Sequence, residues 1–588
     1  MIARVVPDIP SFSVDDGFRY SIPADLEVDV GAVVRVPLGG RTVRGFVVGL
    51  ESGDGENLKA IRARSGKTAV FNERLLQSLR WAAHHYVAPL SVLLRRTAPP
   101  NIPAPTTGPA PAVDRREAAQ TPAGALGRSI AEGRTRNCHV QTTNPEDLAD
   151  LVGPILGAGM SVMLVAPTGL EAVRIHERLA ATFGEAVLAI TPDTSDREAT
   201  AVWAKCRSAA GYLLVGTPRV SLWPVAQLGA AVVMGEARRG MKDRQTPTVH
   251  SRELLRARSV VERFALVTTG LVPSTETIAA GTEVIVAGPG RPWSLIEFVD
   301  RSVDPPGTGP LSDRTKTAIA AAAKRAENVF VFTHRRGYAP AFRCVRCREL
   351  RTCGSCGART GREDTCRRCE REQGSCRSCG ADRFEPLGAG VDRIVELVKR
   401  FVDADKVGLA GEGRLVTVGS VRDVPAIRRC SLAVVVDADG LVLGTDYRAG
   451  EDALQSLARV AAVVGSGHGR RTIVQTSNPA HPVLEALRRG EVLPFLAAEL
   501  EQRAAFGFPP VGDLIVLECR GCPDGAAQRL TERFPEVTVL GPAPVEGGLR
   551  WLLQGSDLSA ARRELRKLAA EWRDAGASLR IDVDPIDL

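Results

Sequence analysis

Apolar and polar residues alternate along the first hundred positions, in short runs separated by Gly and Pro. Alternation with a period of two is typical of β-strands that bury one face. The clearest hairpin leads in at Val34, turns at Gly39-Gly40 and returns to Val48, and a helical period follows over residues 71–86. Residues 1–103 are therefore predicted to form a β-rich domain that ends in a helix.

The pattern changes after residue 128, where apolar runs of strand length alternate with helical segments. Such runs lie at 162–167, 186–190, 212–218, 230–235, 264–270, 283–288, 328–334, 414–419, 432–440 and 472–478. Strands that are apolar on both faces and joined by helices predict parallel sheets covered by helices. We therefore expect an α/β multidomain chain with one lobe over 128–297, a second lobe over 298–343 and 381–485, and a C-terminal α/β domain over 486–588.

The composition is that of a large globular protein. A chain of 588 residues exceeds a single core, and 44% hydrophobic and 24% charged residues are ordinary values for such proteins. No apolar run reaches the roughly 18–20 residues of a membrane span, and the first residues lack a signal-peptide core. We therefore expect a cytoplasmic protein that does not associate with a membrane. Its net charge of +8 is compatible with acidic partners such as DNA.

Eight of the thirteen cysteines form four C-x-x-C pairs within residues 344–380, the segment inserted in the second lobe. Two such pairs can hold one metal ion in a tetrahedral site, so four pairs predict two zinc ions per chain. Disulfides, a redox C-x-x-C pair and an iron–sulfur cluster are the alternatives, and a reducing cytosol disfavours the first. A nested grouping closes each link as a hairpin. It groups Cys344, Cys347, Cys376 and Cys379 outside, and Cys353, Cys356, Cys366 and Cys369 inside.

The cysteine-rich segment also holds nine Arg, no Lys and five acidic residues between positions 344 and 379. Two interpretations of this basic composition remain open. The arginines either contact DNA, or they offset the negative charge of zinc centres that are each bound by four thiolates.

Several segments together resemble one protein family. They are FTHRRGYAPAFRC leading into the four cysteine pairs, and FRYSIP, VRVPLGG, VGTPRVSLWPV, VPSTETI, VVVDADG, DYRAGED, FGFPP, VLGPAPV, LRWLLQG and DVDP. Taken in their order along the chain, they resemble the PriA family of replication-restart primosomal proteins, which are superfamily 2 helicases. The resemblance implies two RecA-like helicase lobes. It also implies a winged-helix domain before the first lobe, but residues 104–127 are a Pro-rich stretch without periodicity. We predict a linker there and no winged helix.

The resemblance implies that the N-terminal domain binds the 3′ end of a DNA strand. The matching positions are Phe18, Tyr20, Gly39, Arg41 and Lys59. Where the family has F-D-Y, this chain has Arg19 between the two aromatic residues, and an Arg donates to phosphate where an Asp would accept from a sugar or base. Phe18 and Tyr20 can alternatively be core residues of a strand. In the tail, Arg550 and Trp551 match a further family motif, and stacking on a base or packing in a core both remain open for them.

The nucleotide-binding motifs that the resemblance implies are missing. NCHVQTTNPED (137–147) stands where the family has G-x-x-x-x-G-K-[ST], and Gly235-Glu236-Ala237-Arg238 stands for the D-E-x-H box. Val463 and Ser466 occupy the arginine-finger positions. The Gly66-Lys67-Thr68 triplet lies in the N-terminal domain and is interpreted as an ordinary loop. We therefore assign no catalytic and no nucleotide-binding residue, and we do not expect ATP as a cofactor.

These observations predict a non-enzymatic replication-restart factor that is cytoplasmic and nucleoid-associated. Such a factor would bind branched or forked DNA as a monomer. Its partners would be primosome proteins, the replicative helicase or its loader, and single-strand-binding protein. Two alternatives remain: an active ATP-dependent 3′→5′ helicase with an unrecognised nucleotide site, and a zinc-containing repair scaffold.

Overall fold

The computed structural model describes the chain apart from residues 54, 56, 105–110, 112–119, 135–136, 143, 288–290, 306–307, 335–340, 348, 356–359, 361–364, 367–370, 388–389, 445, 465–466 and 468. The chain divides into two compact units. One comprises residues 1–287 and 500–588, and the other residues 288–499. None of the described helices is both long enough and apolar enough to cross a membrane.

The N-terminal domain of the first unit is an antiparallel sheet followed by two helices, of which the first is the predicted one. Its elements are β1 (Ile2–Pro7), β2 (Phe18–Ser21), β3 (Val33–Leu38), β4 (Arg41–Glu51), β5 (Ala63–Arg64), α1 (Glu73–His85) and α2 (Leu90–Thr97), and the strand order is β2-β1-β4-β3-β5. The predicted hairpin turns at Gly39 and Gly40, which both have positive φ. Val43 packs in a cluster with Tyr20 on one face of the sheet, and Phe46 packs towards the helices on the other.

The first lobe is a seven-stranded parallel sheet, which confirms the predicted α/β class. Its elements are α3 (Pro122–Ala131), β6 (Cys138–Gln141), α4 (Pro145–Gly157), β7 (Ser161–Val165), α5 (Gly169–Phe183), β8 (Val187–Ile190), α6 (Asp196–Ser208), β9 (Leu213–Gly216), β10 (Leu228–Met234), α7 (Ser251–Glu262), β11 (Ala265–Thr269), α8 (Thr275–Ala279) and β12 (Glu283–Val286). The strand order is β12-β6-β11-β10-β7-β9-β8.

Helix α3 corrects part of the predicted linker. Thr121 caps the helix through its side chain, which accepts the N–H of Gly124 (3.1 Å), and Pro122 occupies the first turn, where a missing N–H costs nothing. The helix packs closely on α4, since a Cβ on Gly127 would lie 2.3 Å from the carbonyl oxygen of Leu151. Small residues that allow this approach also weaken the apolar period. Most of the remaining predicted linker lies outside the described residues.

The second unit is built on a six-stranded parallel sheet of order β13-β20-β19-β14-β18-β17. Its elements are β13 (Leu295–Asp300), α9 (Asp313–Lys324), β14 (Val329–Phe332), β15 (Ala341–Cys344), β16 (Phe384–Leu387), α10 (Val391–Val398), β17 (Val407–Leu409), β18 (Val416–Gly419), β19 (Leu432–Val435), α11 (Asp439–Val442), α12 (Ala449–Val464), β20 (Arg471–Thr476), α13 (Pro482–Arg489) and α14 (Val492–Ala505). Strands β15 and β16 pair antiparallel and close the cysteine-rich insertion at its base.

The C-terminal domain completes the first unit. It has an antiparallel sheet of order β22-β23-β21-β24. Its elements are β21 (Asp513–Arg520), α15 (Ala526–Arg533), β22 (Thr538–Val545), β23 (Gly548–Gly555), α16 (Ser559–Asp574) and β24 (Ser578–Val583). The domain is joined to the first lobe by Lys242, whose Nζ donates to Asp582 Oδ1 (2.6 Å), and to α1 by His85, whose Nε2 lies 2.9 Å from Asp584 Oδ2.

Candidate DNA-binding and metal-binding sites

Edge strand β2 carries Phe18 and Tyr20, two of the residues predicted to bind DNA. They lie two positions apart, opposite Val5 and Ala3 of β1, so they share one face of the strand. Phe18 is 40% exposed. Tyr20 is 3% exposed, and its hydroxyl donates a hydrogen bond to the carbonyl oxygen of Pro37 (3.2 Å). Phe18 thus presents an accessible ring, whereas Tyr20 fastens the edge strand to the end of β3.

The other predicted DNA-binding residues of this domain lie on the β3–β4 hairpin and on the segment beside β2. Gly39 occupies the β3–β4 turn with a φ of 55°, and a side chain there would meet nothing within 4 Å. Arg41 begins β4 and is exposed. Lys59 is exposed as well, and its carbonyl oxygen accepts the N–H of Ser21, the residue after Tyr20 (3.1 Å). Lys59 therefore lies beside β2, and Arg41 lies on the hairpin to which Tyr20 is fastened.

Arg19 lies on the face of β2 opposite to Phe18 and Tyr20, because side chains alternate along a strand. Its guanidinium pairs with Glu51 (Nε to Oε2, 3.1 Å), and Glu51 also accepts from Arg4 (2.9 Å). The basic residue that replaces the family's Asp is thus partly neutralised inside its own sheet. Its presence leaves the face that carries Phe18 unchanged.

Four of the eight clustered cysteines converge at the base of the insertion. The sulfurs of Cys344, Cys347, Cys376 and Cys379 all lie within 4.8 Å of one another, and Cys344 to Cys379 and Cys347 to Cys376 are both 3.4 Å. A tetrahedral zinc site with Zn–S bonds of about 2.3 Å places its sulfurs about 3.8 Å apart. These are the four cysteines that the nested grouping places outside. Their geometry fits a metal ion such as zinc.

The thiols of this cluster differ in how readily they ionise. The backbone N–H of Cys347 is the main cause that lowers the pKa of Cys344 to about 6, and the N–H of Arg346 also donates to that sulfur (3.4 Å). The backbone N–H of Glu349 likewise favours the thiolate of Cys347, but burial and the neighbouring sulfurs outweigh it and raise the pKa of Cys347 to about 12. The Cys344 thiolate therefore forms readily, and its negative charge disfavours ionisation of the neighbouring thiols. A bound divalent cation would offset this repulsion between thiolates.

The inner set is described only in part, because Cys356 and Cys369 lie outside the described residues. Cys353 and Cys366 are both buried. The sulfur of Cys353 accepts the N–H of Ser355 (3.4 Å), which repeats the turn at Cys344, and it also accepts from the Gln373 side chain (3.3 Å). The local backbone at Cys353 thus matches that of a cysteine in the outer cluster.

At the position of the family's phosphate-binding loop, helix α4 is the next helix after β6. Asn144 caps this helix by accepting the N–H of Glu146 (3.2 Å), and the hydroxyl of Thr142 donates to Asp147 (2.5 Å). Glu146 pairs with Arg178 (3.0 Å). A helix N-terminus binds phosphate through free N–H groups and a favourable dipole. Here the side chain of Asn144 already accepts one of these N–H groups, and the carboxylates of Glu146 and Asp147 occupy the first turn of the helix.

Glu236, at the position of the D-E-x-H box, is 1% exposed and lies in a closed network at the end of β10. It accepts hydrogen bonds from Arg252 Nη1 (2.5 Å), from the N–H and hydroxyl of Ser274 (2.8 and 2.9 Å) and from the hydroxyl of Thr277 (2.8 Å). Burial alone would raise the pKa of Glu236, but the charge and hydrogen bond of Arg252 and the hydrogen bond of Ser274 hold it below its ordinary value. The carboxylate is therefore ionised and fully coordinated by the protein.

His139 lies in the same region of the lobe. Its Nδ1 is 3.0 Å from the Thr268 hydroxyl and its Nε2 is 3.2 Å from the carbonyl oxygen of Gly270. A carbonyl only accepts, so Nε2 carries the proton and Nδ1 accepts from Thr268. Burial lowers the pKa of His139, which keeps the ring neutral. The end of β11 is thus tied to β6 by a neutral imidazole.

Sequence reasoning singled out Glu236 but missed Arg252, its main partner. The two residues are separated by sixteen positions and share no motif. One weak signal existed: Arg252 lies in the first turn of α7, where a cation opposes the helix dipole and so needs an acidic partner. At the arginine-finger segment, helix α12 ends at Val464, and Ser466 lies outside the described residues.

In the tail, the structure corrects the stacking role considered for Trp551. The ring is 1% exposed and packs edge-on against Trp572, with centroids 6.3 Å apart. No face of it is open to a base, so Trp551 is a core residue of the C-terminal domain. Arg550 pairs with Glu518 (2.6 Å).

Two family models match the chain. The 3′DNA-binding domain (3′BD) of PriA matches residues 4–99, and the primosomal protein N C-terminal domain matches residues 504–586. They correspond to the N-terminal sheet with its helices and to the C-terminal domain described above.

The proteins similar to this chain include replication restart proteins named PriA. The replication restart protein PriA of Synechocystis sp. is 24% identical over 451 residues, which cover 67% of this chain and 54% of that protein. The replication restart protein PriA of Treponema pallidum is 24% identical over 665 residues, which cover 100% of this chain and 99% of that protein.

Among solved structures, the DUF1998 helicase MrfA bound to DNA aligns with a TM-score of 0.37 and 11% identity over 78% of this chain and 61% of that one. A TM-score at this level supports no assignment. The likeness comes from models that match both ends of the chain and from a relative that aligns over its whole length. The chain is thus similar along its whole length to the replication restart protein PriA, with a match to the PriA 3′DNA-binding domain at residues 4–99 and to the primosomal protein N C-terminal domain at residues 504–586.

Proposed function

We propose that this protein is a replication-restart factor. It binds branched DNA at abandoned forks and promotes reloading of the replicative helicase, without hydrolysing ATP. The match of residues 4–99 to a 3′DNA-binding domain is the observation that carries the DNA-binding part. Its partners in this role are primosome proteins, the replicative helicase or its loader, and single-strand-binding protein. We expect a monomer that works in the cytoplasm at the nucleoid.

The chemistry of the N-terminal edge supports DNA binding. An exposed aromatic ring such as Phe18 can stack on a terminal base, and such stacking tolerates any base because every base has a π-face. Arg41 and Lys59 are exposed cations on the flanking loops and suit contacts to phosphate. The combination favours a DNA end over a uniform duplex, because only an end or a single strand exposes the face of a base.

The lack of ATPase activity is proposed from Glu236. A carboxylate that positions Mg²⁺ must have oxygen lone pairs free to face the metal. The oxygens of Glu236 accept four hydrogen bonds from Arg252, Ser274 and Thr277 in a site that is 1% exposed. Arg252 supplies the positive charge that a metal would otherwise bring. The network is complete without Mg²⁺, and we propose that it replaced the metal.

The two zinc ions of this proposal are structural. Cys344, Cys347, Cys376 and Cys379 would hold one, and Cys353, Cys356, Cys366 and Cys369 the other. A zinc ion bound by four thiolates has no open position for substrate and contributes folding energy to a short segment. With both ends of the insertion joined at β15 and β16, such centres would fix its hairpins as a docking surface for partner proteins.

A test of both parts uses one sample of zinc-replete protein and forked DNA. Fluorescence anisotropy should show binding to a fork with little dependence on its sequence. Phosphate release, measured in the same tubes with Mg-ATP, should stay at the buffer background. Turnover of about 1–100 s⁻¹, the range of phosphoryl-transfer enzymes, would overturn the non-enzymatic part. Failure to bind the fork would overturn the restart role.

A further inference from the structure

A pocket of about 500 Å³ lies between the N-terminal domain and the first lobe, both within the first compact unit. Four arginines line it: Arg44 of β4, Arg95 and Arg96 of α2, and Arg219 of the first lobe. Its walls also include Asp243, Pro99 and Ser251. Arg219 is exposed and the Arg95 side chain is 51% exposed, so the pocket is open to solvent. It is large enough for one nucleotide unit of a nucleic acid.

The pocket carries more positive than negative charge. Arg95 pairs with Asp8 (2.7 Å) and Arg96 pairs with Asp243 (2.6 Å). Across the described part of the chain, no carboxylate lies within ion-pair distance of Arg44 or of Arg219. These two arginines, one from each domain, therefore lack a direct ion-pair partner among the described residues.

The side chain of Arg44 is held in place by its own domain and still has a hydrogen-bond donor without a partner. Its guanidinium lies over the ring of Phe46, 5.5 Å from the centroid, and its Nε is buried without a hydrogen-bond partner. A buried unpaired donor is costly, so an anion that accepts from it is stabilised. Burial, together with the charges of Arg35 and Arg95, lowers the pKa of Arg44 although Asp8 opposes the shift. Crowding of cations around a half-buried guanidinium favours a bound anion.

This pocket is distinct from the edge that carries Phe18. Along β4, Val43 packs in the cluster that contains Tyr20, whereas Arg44 lies one residue on and stacks on Phe46. Alternation along the strand places these side chains on opposite faces of the sheet. Substitutions in the pocket can therefore be tested without disturbing the candidate site for a DNA end.

We propose that this pocket binds a phosphodiester group of the DNA backbone, held by Arg44 from the N-terminal domain and by Arg219 from the first lobe. The inference rests on the proposed DNA-binding function and adds a second point of contact to it. A guanidinium presents two parallel N–H donors that match two phosphate oxygens, which a single Lys cannot do. A strand gripped here would bridge two domains of the unit, so its backbone would be fixed independently of its sequence.

The test compares Arg44→Gln, Arg219→Gln and the double variant with Arg529→Gln, which removes an exposed charge from the C-terminal domain. Anisotropy of a labelled single strand is measured between about 50 and 200 mM salt, with a free and with a phosphorylated 3′ end. Each pocket variant should weaken binding about three- to tenfold and reduce the slope of log affinity against log salt by about one. The loss should be the same for both 3′ ends. Arg529→Gln should leave affinity and slope unchanged.

Two further measurements distinguish phosphodiester binding from a folding defect and from the binding of a small anion. Arg44→Lys keeps the charge and should keep most of the salt slope, while Arg219 is exposed and its substitution leaves the core intact. If wild type binds DNA and neither Arg44→Gln nor Arg219→Gln alters its affinity, the pocket proposal fails and DNA binding stands. If wild type binds no DNA, both fail. If pyrophosphate raises the melting temperature only when Arg44 is present, but DNA affinity is unaffected by the variants, the pocket binds a small anion and the phosphodiester proposal is overturned.

Discussion

The most informative single residue is Glu236, a carboxylate that the family resemblance assigns to magnesium and that here serves an internal ion pair. An ionised group buried to 1% exposure persists only if its charge and lone pairs are satisfied. Arg252, Ser274 and Thr277 do this together. A glutamate at this strand end can thus stabilise the fold through an ion pair in a chain that lacks the rest of the D-E-x-H box.

Replacing Glu236 by Ala should destabilise the protein by about 3–5 kcal/mol, because it leaves the guanidinium of Arg252 buried without its main partner. The change should appear in the free energy of unfolding from urea titration. Glu146→Ala is the matched control, since Glu146 pairs with Arg178 at an exposed site and should cost about 1 kcal/mol or less. Equal stability of wild type and Glu236→Ala would contradict the closed network.

Asp15 provides a prediction about pH. Burial raises its pKa to about 6 from the ordinary 3.8, although the N–H of Leu90 and the guanidinium of Arg566 oppose the shift. The folded state therefore binds a proton more tightly than the unfolded state between about pH 4 and pH 6. Stability from this group is present below pH 4 and is lost as pH rises through 6, by about 3 kcal/mol.

This contribution is isolated by subtracting the stability of Asp15→Asn, whose amide does not titrate. The stability of wild type relative to this variant should fall by about 3 kcal/mol between pH 4 and pH 7. A difference that stays constant over this range would refute the raised pKa of Asp15.

At the scale of elements, the outcome of sequence prediction followed the strength of the local pattern. The helix predicted over residues 71–86 is α1 (Glu73–His85), and the apolar runs of both lobes form strands of parallel sheets. Strand β6 was missed because His139 and Gln141 interrupt its apolar run, although both are held by hydrogen bonds in the lobe. The cysteine cluster was predictable because its spacing is local, whereas the pairing of Glu236 with Arg252 depends on the folded sheet.

The zinc prediction concerns the insertion as an element. Wild-type protein should contain two zinc ions by elemental analysis, Cys379→Ser and Cys353→Ser should each contain one, and the double variant none. A Cys₄ site that loses one thiolate loses most of its affinity, and the small segment around it unfolds locally while the lobes stay folded. Cys522→Ser is the control, because the Cys522 thiol donates to the carbonyl oxygen of Cys519 (3.1 Å) and belongs to neither set of four cysteines. One zinc in wild type, or an iron chromophore, would refute this prediction.

Two exposed cations, Arg41 and Lys59, allow a test of the candidate DNA-binding site in the N-terminal domain. Arg41→Gln and Lys59→Gln should each weaken binding of forked DNA and reduce its salt slope by about one, because each lost phosphate contact releases fewer counterions. Lys67→Gln removes an equally exposed Lys of the same domain and should change neither quantity. A strong effect of Lys67→Gln would instead revive the Gly66-Lys67-Thr68 triplet as a functional loop.

At the scale of the whole molecule, the first unit joins the two ends of the chain. Lys242 of the first lobe donates to Asp582 and to the carbonyl oxygen of Val583 (both 2.6 Å), and Arg566 of the C-terminal domain pairs with Asp15. These partners lie hundreds of positions apart, so no sequence pattern predicts them. They combine the N-terminal domain, the first lobe and the tail into one compact unit, which suits a platform for DNA.

The last prediction is that the protein does not respond to nucleotide. ATP binding in this class of fold needs a glycine cradle with a Lys for the phosphates and a carboxylate for Mg²⁺. At the position of the glycine cradle, the first turn of helix α4 carries Glu146 and Asp147, whose negative charges repel a triphosphate. At the position of the Mg²⁺ carboxylate, Glu236 is already hydrogen-bonded to Arg252. Calorimetry with Mg-ATP up to millimolar concentration should therefore detect no binding, and the small-angle scattering profile should be the same with and without nucleotide. As a positive control, the same sample should still bind forked DNA. Measurable affinity for Mg-ATP, or a scattering profile that becomes more compact when it is added, would show that the molecule is an active motor and not a fixed platform.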